Sequence, residues 1–373
     1  MIVWGRRVHH CSVSLLNREF RVFLSNNRAA DCFQGGSGSR IFRDTSNRNK
    51  RTNRKNFMQQ AHVRNRVAGV LAGDRLAVTR AITMTENEKE GWEMLLSELY
   101  HNTGRAYRIG ITGPPGAGKS TLTQKLIAHY WNLGKKIAVI AIDPTSPFTG
   151  GAILGDRVRM QSESMRPGVF VRSMATRGTL GGLNTKAQDV ADILDAAGFD
   201  IIIYETVGVG QSELDIAKAA DTTVVVLVPE SGDSIQAMKS GLMEIADLFV
   251  MNKSDRDGAD QAVAALRTIL TFRITHAENE WIPDVKKSVA TSGGGIDEIV
   301  NGIDEHRAHM EKLGTLHKRR EAREHDRIRT LTDRRLHSTF WTPARTDLLQ
   351  EMLPAVYARE KSPLDVANLL IAG

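Results

Sequence analysis

Eight consecutive residues, Gly113-Pro114-Pro115-Gly116-Ala117-Gly118-Lys119-Ser120, have the types and spacing needed to hold a phosphate group. Glycines let backbone N–H groups curl around an anion, and a helix starting just beyond them turns the positive end of its dipole toward the same point. A lysine can then reach the β and γ oxygens, and a serine hydroxyl can ligate Mg2+. Residues 113–121, closing with Thr121, are the candidate nucleotide contacts; Lys119 is also a catalytic candidate and Ser120 a metal ligand. A second set is acidic. Asp143 follows the apolar run 136–142, Glu205 follows 200–204, and Asp156 lies in a Gly-rich loop, Gly150–Arg157. Mg2+ takes oxygen ligands and keeps several waters, so carboxylates at such positions suit it. Any one of them is equally well a helix N-cap or a solvated turn; the weight lies in their falling at the ends of successive apolar runs. The third set is Asn252-Lys253-Ser254-Asp255, the pattern N-K-x-D. A carboxylate at Asp255 can accept hydrogen bonds from guanine N1–H and N2–H2, which adenine does not offer in that arrangement. Lys253 can lie over the base, and Asn252 can tie its loop to the phosphate loop. Val289 and Ala290, at the end of the next apolar run, can supply a backbone N–H to guanine O6. The base expected is therefore guanine.

These groups need a scaffold that brings the ends of several segments together. From 59 to about 99 the pattern is helical, with Val63, Val67, Val70 and Leu71, then Leu76, Val78 and Ile82, at three- and four-residue spacing. From 106 short apolar runs alternate with helical stretches: strands are expected over 107–112, 136–142, 168–171, 200–204, 222–228, 248–251 and 287–290. Continuous runs such as Ile201-Ile202-Ile203 and Val224-Val225-Val226 are what strands buried on both faces look like. The fold expected is α/β, a P-loop NTPase with a mostly parallel sheet covered by helices, in which ligands bind beyond the carboxyl ends of the strands. The divisions expected are a leader (1–57), a helical region (58–105), the nucleotide domain (106–303) and a C-terminal helical arm (304–373) that leaves the core toward a second subunit. In the arm, His306, His309, His317 and His325 read as a solvated face rather than a metal site.

Charge and composition narrow the function classes. The 373 residues carry a net +7, yet residues 1–57 alone hold 12 Lys/Arg against 3 Asp/Glu, leaving 38 basic and 40 acidic residues in the rest. The basic character belongs to the leader, so the charge balance of the body disfavours a nucleic-acid partner, and none is expected. Both cysteines, Cys11 and Cys32, also lie in the leader, which excludes a disulfide, thiolate metal site or cysteine nucleophile from the body. No apolar run is long enough for a membrane-spanning helix. The leader itself reads as disordered, being either an Arg-rich, acid-poor mitochondrial transit peptide or sequence upstream of a start at Met58. The first places the protein in the mitochondrial matrix, the second in a bacterial cytoplasm.

Taken together, the residues resemble the MeaB-type GTPase chaperones of adenosylcobalamin-dependent methylmalonyl-CoA mutase, a family also mislabelled as transport-system kinases. The resemblance is carried by Gly113–Ser120, Asp143-Pro-Thr-Ser146, Gly150–Arg157, Thr176–Gly182, Glu205-Thr-Val-Gly208 through Glu213, Gly232–Gln236 and Asn252–Asp255. Glu205 is telling, since most GTPases place Asp there. The resemblance implies GTP and GDP as ligands and Mg2+ held by Ser120 with Asp143, Asp156 and Glu205. It also implies a mutase partner and no cobalamin held by the chain itself, while the arm is expected to join a homodimer. It further implies a third switch over 229–239 in which Asp233, Gln236 and Lys239 serve catalysis, with Pro229-Glu230-Ser231-Gly232-Asp233 where the family usually reads Pro-x-Ala-Gly-Asp. No glutamine like that of small GTPases follows Gly208, so intrinsic hydrolysis is expected to be slow and partner-dependent. Two other readings use the same phosphate loop. A nickel-delivering GTPase needs a Cys/His cluster that the body lacks, and a kinase of a transport-system protein has no use for a guanine reader.

Overall fold

A computed structural model describes residues 57–144, 161–176, 182–206, 212–229, 241–272 and 281–372. Residues 1–57 and 58–373 form separate units. The second unit is built on seven strands: β1 (Tyr107–Thr112), β2 (Ile137–Pro144), β3 (Val169–Thr176), β4 (Ile201–Thr206), β5 (Thr222–Leu227), β6 (Leu248–Met251) and β7 (Val285–Lys287). They lie in the order β3-β2-β4-β1-β5-β6-β7, every neighbouring pair parallel. The sheet is thus wholly parallel where a mostly parallel one was expected. β1 lies between β4, which closes the excursion to one side, and β5, which opens the other, so the loop after β1 leaves the sheet where the winding direction changes.

The continuous apolar runs are accounted for by burial on both faces. All six residues of β1, β4 and β5 are buried, and alternate side chains enter different cores. Ile202 and Tyr204 join one cluster, under the helix over 57–71 (α1), α2 (Arg75–Glu86), α3 (Trp92–Tyr100), the later α6 (Gly182–Ala196) and α7 (Ser212–Ala219). Ile109, Ile111, Ile201 and Ile203 join the other, under α4 (Lys119–Asn132) and α10 (Ile296–Leu313). Val225, Leu227, Phe249 and Met251 pack with α8 (Leu242–Ile245) and α9 (Ala259–Phe272). The remaining short helix before β3 is α5 (Gln161–Ser164). Cutting Ile203 back to alanine in such a core costs about 2–5 kcal/mol.

The expected helical stretch 59–99 is three helices, broken at 72–74, where Asp74 Oδ1 caps α2 by accepting from the amides of Leu76 and Ala77, and at 87–91. Val63, Val67, Val70, Val78 and Ile82 are buried as their spacing requires, whereas Leu71 and Leu76 are exposed. At the other end, α10 runs straight across the expected 303/304 boundary. Its apolar face, Ile296, Ile299, Val300 and Ile303, continues into His306 and Met310, all buried. Gly314, at φ +69°, then turns the chain into α11 (Thr315–Phe340), followed by α12 (Pro343–Tyr357) and α13 (Pro363–Ala372).

Helix α11 does not leave the core over its first half. Arg320 and Arg323 donate to Asp221, a fully buried carboxylate at the amino end of β5, at 2.7 and 3.1 Å. Arg327 donates to Asp192 and Asp189 of α6 at 2.6 and 2.8 Å, and Arg108 of β1 reaches Asp192 at 2.7 Å. Burial would raise the Asp221 carboxyl, but Arg323 and Arg320 outweigh it and hold it below the ordinary range. For Asp189 burial wins over Arg327 and pushes it up to about 6. The basic face of α11 is therefore a clamp on the amino ends of the strands. Nor is His306 solvated: Nδ1 lies 2.8 Å from Thr222 Oγ1, and burial pushes the ring down to about 4 against the pull of Asp247. An apolar face on three turns of α10 makes that position interior, and a neutral imidazole bonded to a threonine fits there.

Candidate functional site

The opposite end of the sheet carries the sequence motifs. β1 ends at Thr112 and Gly113 follows at φ +135°, a conformation no side chain favours; a Cβ there would lie 2.1 Å from the carbonyl oxygen of Val226 on β5. Gly118, at φ +88°, has Asn252 Nδ2 where a Cβ would sit, at 2.3 Å. The two glycines let the loop fold down against β5 and the β6 loop. Pro115 and Gly116 form its exposed tip. Helix α4 then begins at Lys119 with no side chain capping its first amides, leaving that dipole end open to an anion. Lys119 is nearly buried and its ammonium donates to the carbonyls of Gly113 and Pro114 at 2.8 and 2.9 Å, which arches the loop over the lysine.

Ser120, in the first turn of α4, donates from Oγ to Glu205 Oε1 at 2.6 Å. Glu205, on β4 next to β1, is 3% exposed. A buried carboxylate and a hydroxyl in contact at the edge of a phosphate loop form an all-oxygen donor pair of the kind Mg2+ takes. The residues present thus fit the ion, and Ser120 and Glu205 would hold it, where it would neutralise charge on the phosphate oxygens. Beneath them Thr206 Oγ1 donates to Thr112 Oγ1 at 3.1 Å, fixing the two strand ends together. Asp143 is the penultimate residue of β2, two places from β1 in the sheet order. Asp156 lies outside the described residues, as do Asp233, Gln236 and Lys239.

On the other side of β1, Asn252 leaves β6 and its Nδ2 donates to the carbonyl of Ala117 at 2.8 Å. The expected tie between base loop and phosphate loop is this bond. Lys253 takes a left-handed conformation, φ +56°, which turns the chain so that Asp255 comes out exposed beside the loop. The β7 end differs from expectation. β7 stops at Lys287, so Val289 and Ala290 lie in the turn after it. The Val289 amide donates to Gly294 O at 2.9 Å, in the bridge that closes the turn here. The Ala290 amide donates to Asn252 Oδ1 at 3.1 Å. Ser288, which the sequence reading passed over, is buried and holds this corner together. Its hydroxyl donates to Asn252 Oδ1 at 3.1 Å, and its carbonyl accepts from both the amide and the hydroxyl of Ser254 at 3.0 Å. A polar residue directly after a strand and before Val-Ala was the available signal.

A wholly parallel sheet with a phosphate loop at its switch point and an N-K-x-D turn tied to that loop defines a P-loop nucleotide-binding protein of the GTPase class. The family model described as methylmalonyl-CoA mutase-associated GTPase MeaB matches residues 78–345, and the chain belongs to that family. It is 47% identical to a Pyrococcus abyssi protein with a provisional GTPase name, over 80% of this chain and 93% of that one. It is 36% identical to the GTPase ArgK of Escherichia coli, over 70% of this chain and 81% of the relative. It is likewise 36% identical to the mitochondrial methylmalonic aciduria type A homolog of Caenorhabditis elegans, over 68% of this chain and 67% of the relative. Among solved structures, one described as an LAO/AO transport system kinase superposes with a TM-score of 0.65 at 27% identity, covering 84% of this chain and 97% of that one. No described helix is long and apolar enough to cross a membrane, and no group of three His, Cys, Asp or Glu among the described residues could hold a metal.

Proposed function

We propose that this GTPase binds and hydrolyses GTP with Mg2+ in order to gate the loading and protection of adenosylcobalamin on methylmalonyl-CoA mutase or a related acyl-CoA mutase. The observation that carries the nucleotide half is the Asn252–Ala117 bond, which makes the base-reading turn and the phosphate loop one unit. The mutase half is supported by the family description and by the name of the mitochondrial relative. In this reading Lys119 meets the β and γ phosphates and positions them. Ser120 and Glu205, with Asp143 and Asp156, surround the ion. Asp255 reads guanine N1–H and N2–H2, Lys253 covers the base, and Ala290 is left as the amide for O6. The chain acts as a homodimer joined through its C-terminal arm.

Phosphoryl transfer needs γ-phosphate charge neutralised and a water positioned. The chain supplies a cradle, a lysine and metal ligands, and the partner completes the site by pressing Asp233, Gln236 and Lys239 of the third switch into place. The test adds purified mutase to the chain and measures the ratio of stimulated to intrinsic GTP hydrolysis. The unmutated chain is expected to be accelerated, and Gln236→Ala and Lys239→Ala to lose most of that ratio. Variants stimulated as fully as the unmutated chain would move the coupling to 176–182. Hydrolysis indifferent to the mutase would remove the partner reading.

A further inference from the structure

Asn252 has one carboxamide to hold two loops together, and its burial, 2% exposed, makes every bond to it matter. Nδ2 donates to Ala117 O, while Oδ1 accepts from two donors, the Ala290 amide and the Ser288 hydroxyl. The Ala290 amide is also the group that guanine O6 would take. It has one proton, so binding a 6-oxopurine draws it away from Asn252. Oδ1 is then left to Ser288 alone. A buried carbonyl oxygen without a donor is costly, and the cost would fall on the bound state only.

We propose that Ser288 is a positioning residue for guanine recognition: its hydroxyl keeps Asn252 Oδ1 bonded when the base claims the Ala290 amide, so that base and phosphate loops remain joined with nucleotide in place. The inference rests on the guanine reading of the site. The Ser288 backbone supports the role. Its amide donates to Met251 O at 2.9 Å and its carbonyl holds Ser254 twice, so the residue is fixed from both sides and its hydroxyl has little freedom to leave Asn252.

The role separates from a merely structural one by the base. Without nucleotide, Asn252 Oδ1 in Ser288→Ala still has the Ala290 amide, so the melting temperature of the free protein should scarcely move. GDP and IDP, which both carry O6, should bind on the order of tenfold more weakly. ADP, whose six-position amino group takes no amide proton, should bind unchanged. Affinities are read by displacing a fluorescent guanine nucleotide from the full chain, and Ser288→Thr, which keeps the hydroxyl, should restore GDP binding. Equal weakening of GDP and ADP, or unchanged GDP affinity in Ser288→Ala, would overturn the proposal. Equal affinities of the unmutated chain for GDP and ADP would instead overturn the guanine reading beneath it.

Discussion

The two ends of the parallel sheet are both crowded with polar side chains, and they use them in opposite ways. At the amino ends, Asp221, Asp192 and Asp189 bond to arginines of β1 and α11 and close on one another. At the carboxyl ends, the phosphate loop arches over Lys119, Ser120 leans on Glu205, and α4 starts without a cap, so the polar groups surround a point that a ligand can fill. One end joins elements far apart in the chain; the other presents groups to something outside it. Buried charge in this protein is therefore not by itself a sign of function, since the more heavily charged network is the one facing away from the site.

Removing a charge from the closed end should give the largest effect. Asp221→Asn leaves Arg320 and Arg323 facing a neutral group in a buried setting, which costs about 3–5 kcal/mol. The melting temperature should fall sharply, while GDP affinity of the folded fraction stays within a factor of two or so. Affinity collapsing together with stability would show that the two ends are not independent.

At the open end the expectation is reversed. Lys119→Ala should lose hydrolysis by about 100-fold or more with little change in melting temperature. Glu205→Gln should raise the Mg2+ concentration needed for half-maximal hydrolysis and leave GDP binding largely intact. Unchanged Mg2+ dependence would take Glu205 out of the metal site.

How much of each end could be read from sequence follows from chain distance. Gly113–Ser120 and Asn252–Asp255 are local patterns, in which residue types within a few positions state the chemistry, and the strands that position them show as unbroken apolar runs. The clamp has no local signature. Arg327 and its partners Asp189 and Asp192 are separated by more than a hundred residues, so the basic face of α11 looks like an ordinary solvated helix until it is folded. His306 differs, since the spacing Ile296, Ile299, Val300, Ile303 places it on a buried helix face and only its charge-rich neighbours make it look solvated. Ser288 has a weak local signal, a polar residue between a strand and Val-Ala, but its bond to Asn252 joins two loops that only the tertiary arrangement brings together.

A smaller effect concerns pH. Asp189, raised to about 6 by burial, favours the folded state most below its ordinary range and loses that contribution as pH rises from about 4 to 6. His306, lowered to about 4 by burial, contributes above its ordinary value of 6.5 and loses that as pH falls. The two slopes oppose over pH 4–6. Relative to the unmutated chain, Asp189→Asn should make stability rise with pH there, and His306→Asn should make it fall. Each change amounts to at most about 1.4 kcal/mol per pH unit, read from denaturant unfolding. Slopes of the same sign in both variants would contradict the assignment. Truncation to Met58 should do least, leaving melting temperature and GTP hydrolysis at the level of the full chain, because the leader's sequence carries no packable apolar pattern. A large loss would make the leader structural.

The measurement that bears most directly on the open end as a guanine-nucleotide site is calorimetric titration of the full chain with GDP and ADP in the presence of Mg2+, repeated with Asp255→Asn. The unmutated chain should bind GDP at micromolar concentration or below and ADP at least about 100-fold more weakly, since a site built on base hydrogen bonds rejects the base that leaves them unmade. Asp255→Asn should lose GDP and gain xanthosine diphosphate, whose 2-carbonyl accepts from the new amide. Comparable affinities for GDP and ADP in the unmutated chain would contradict the account.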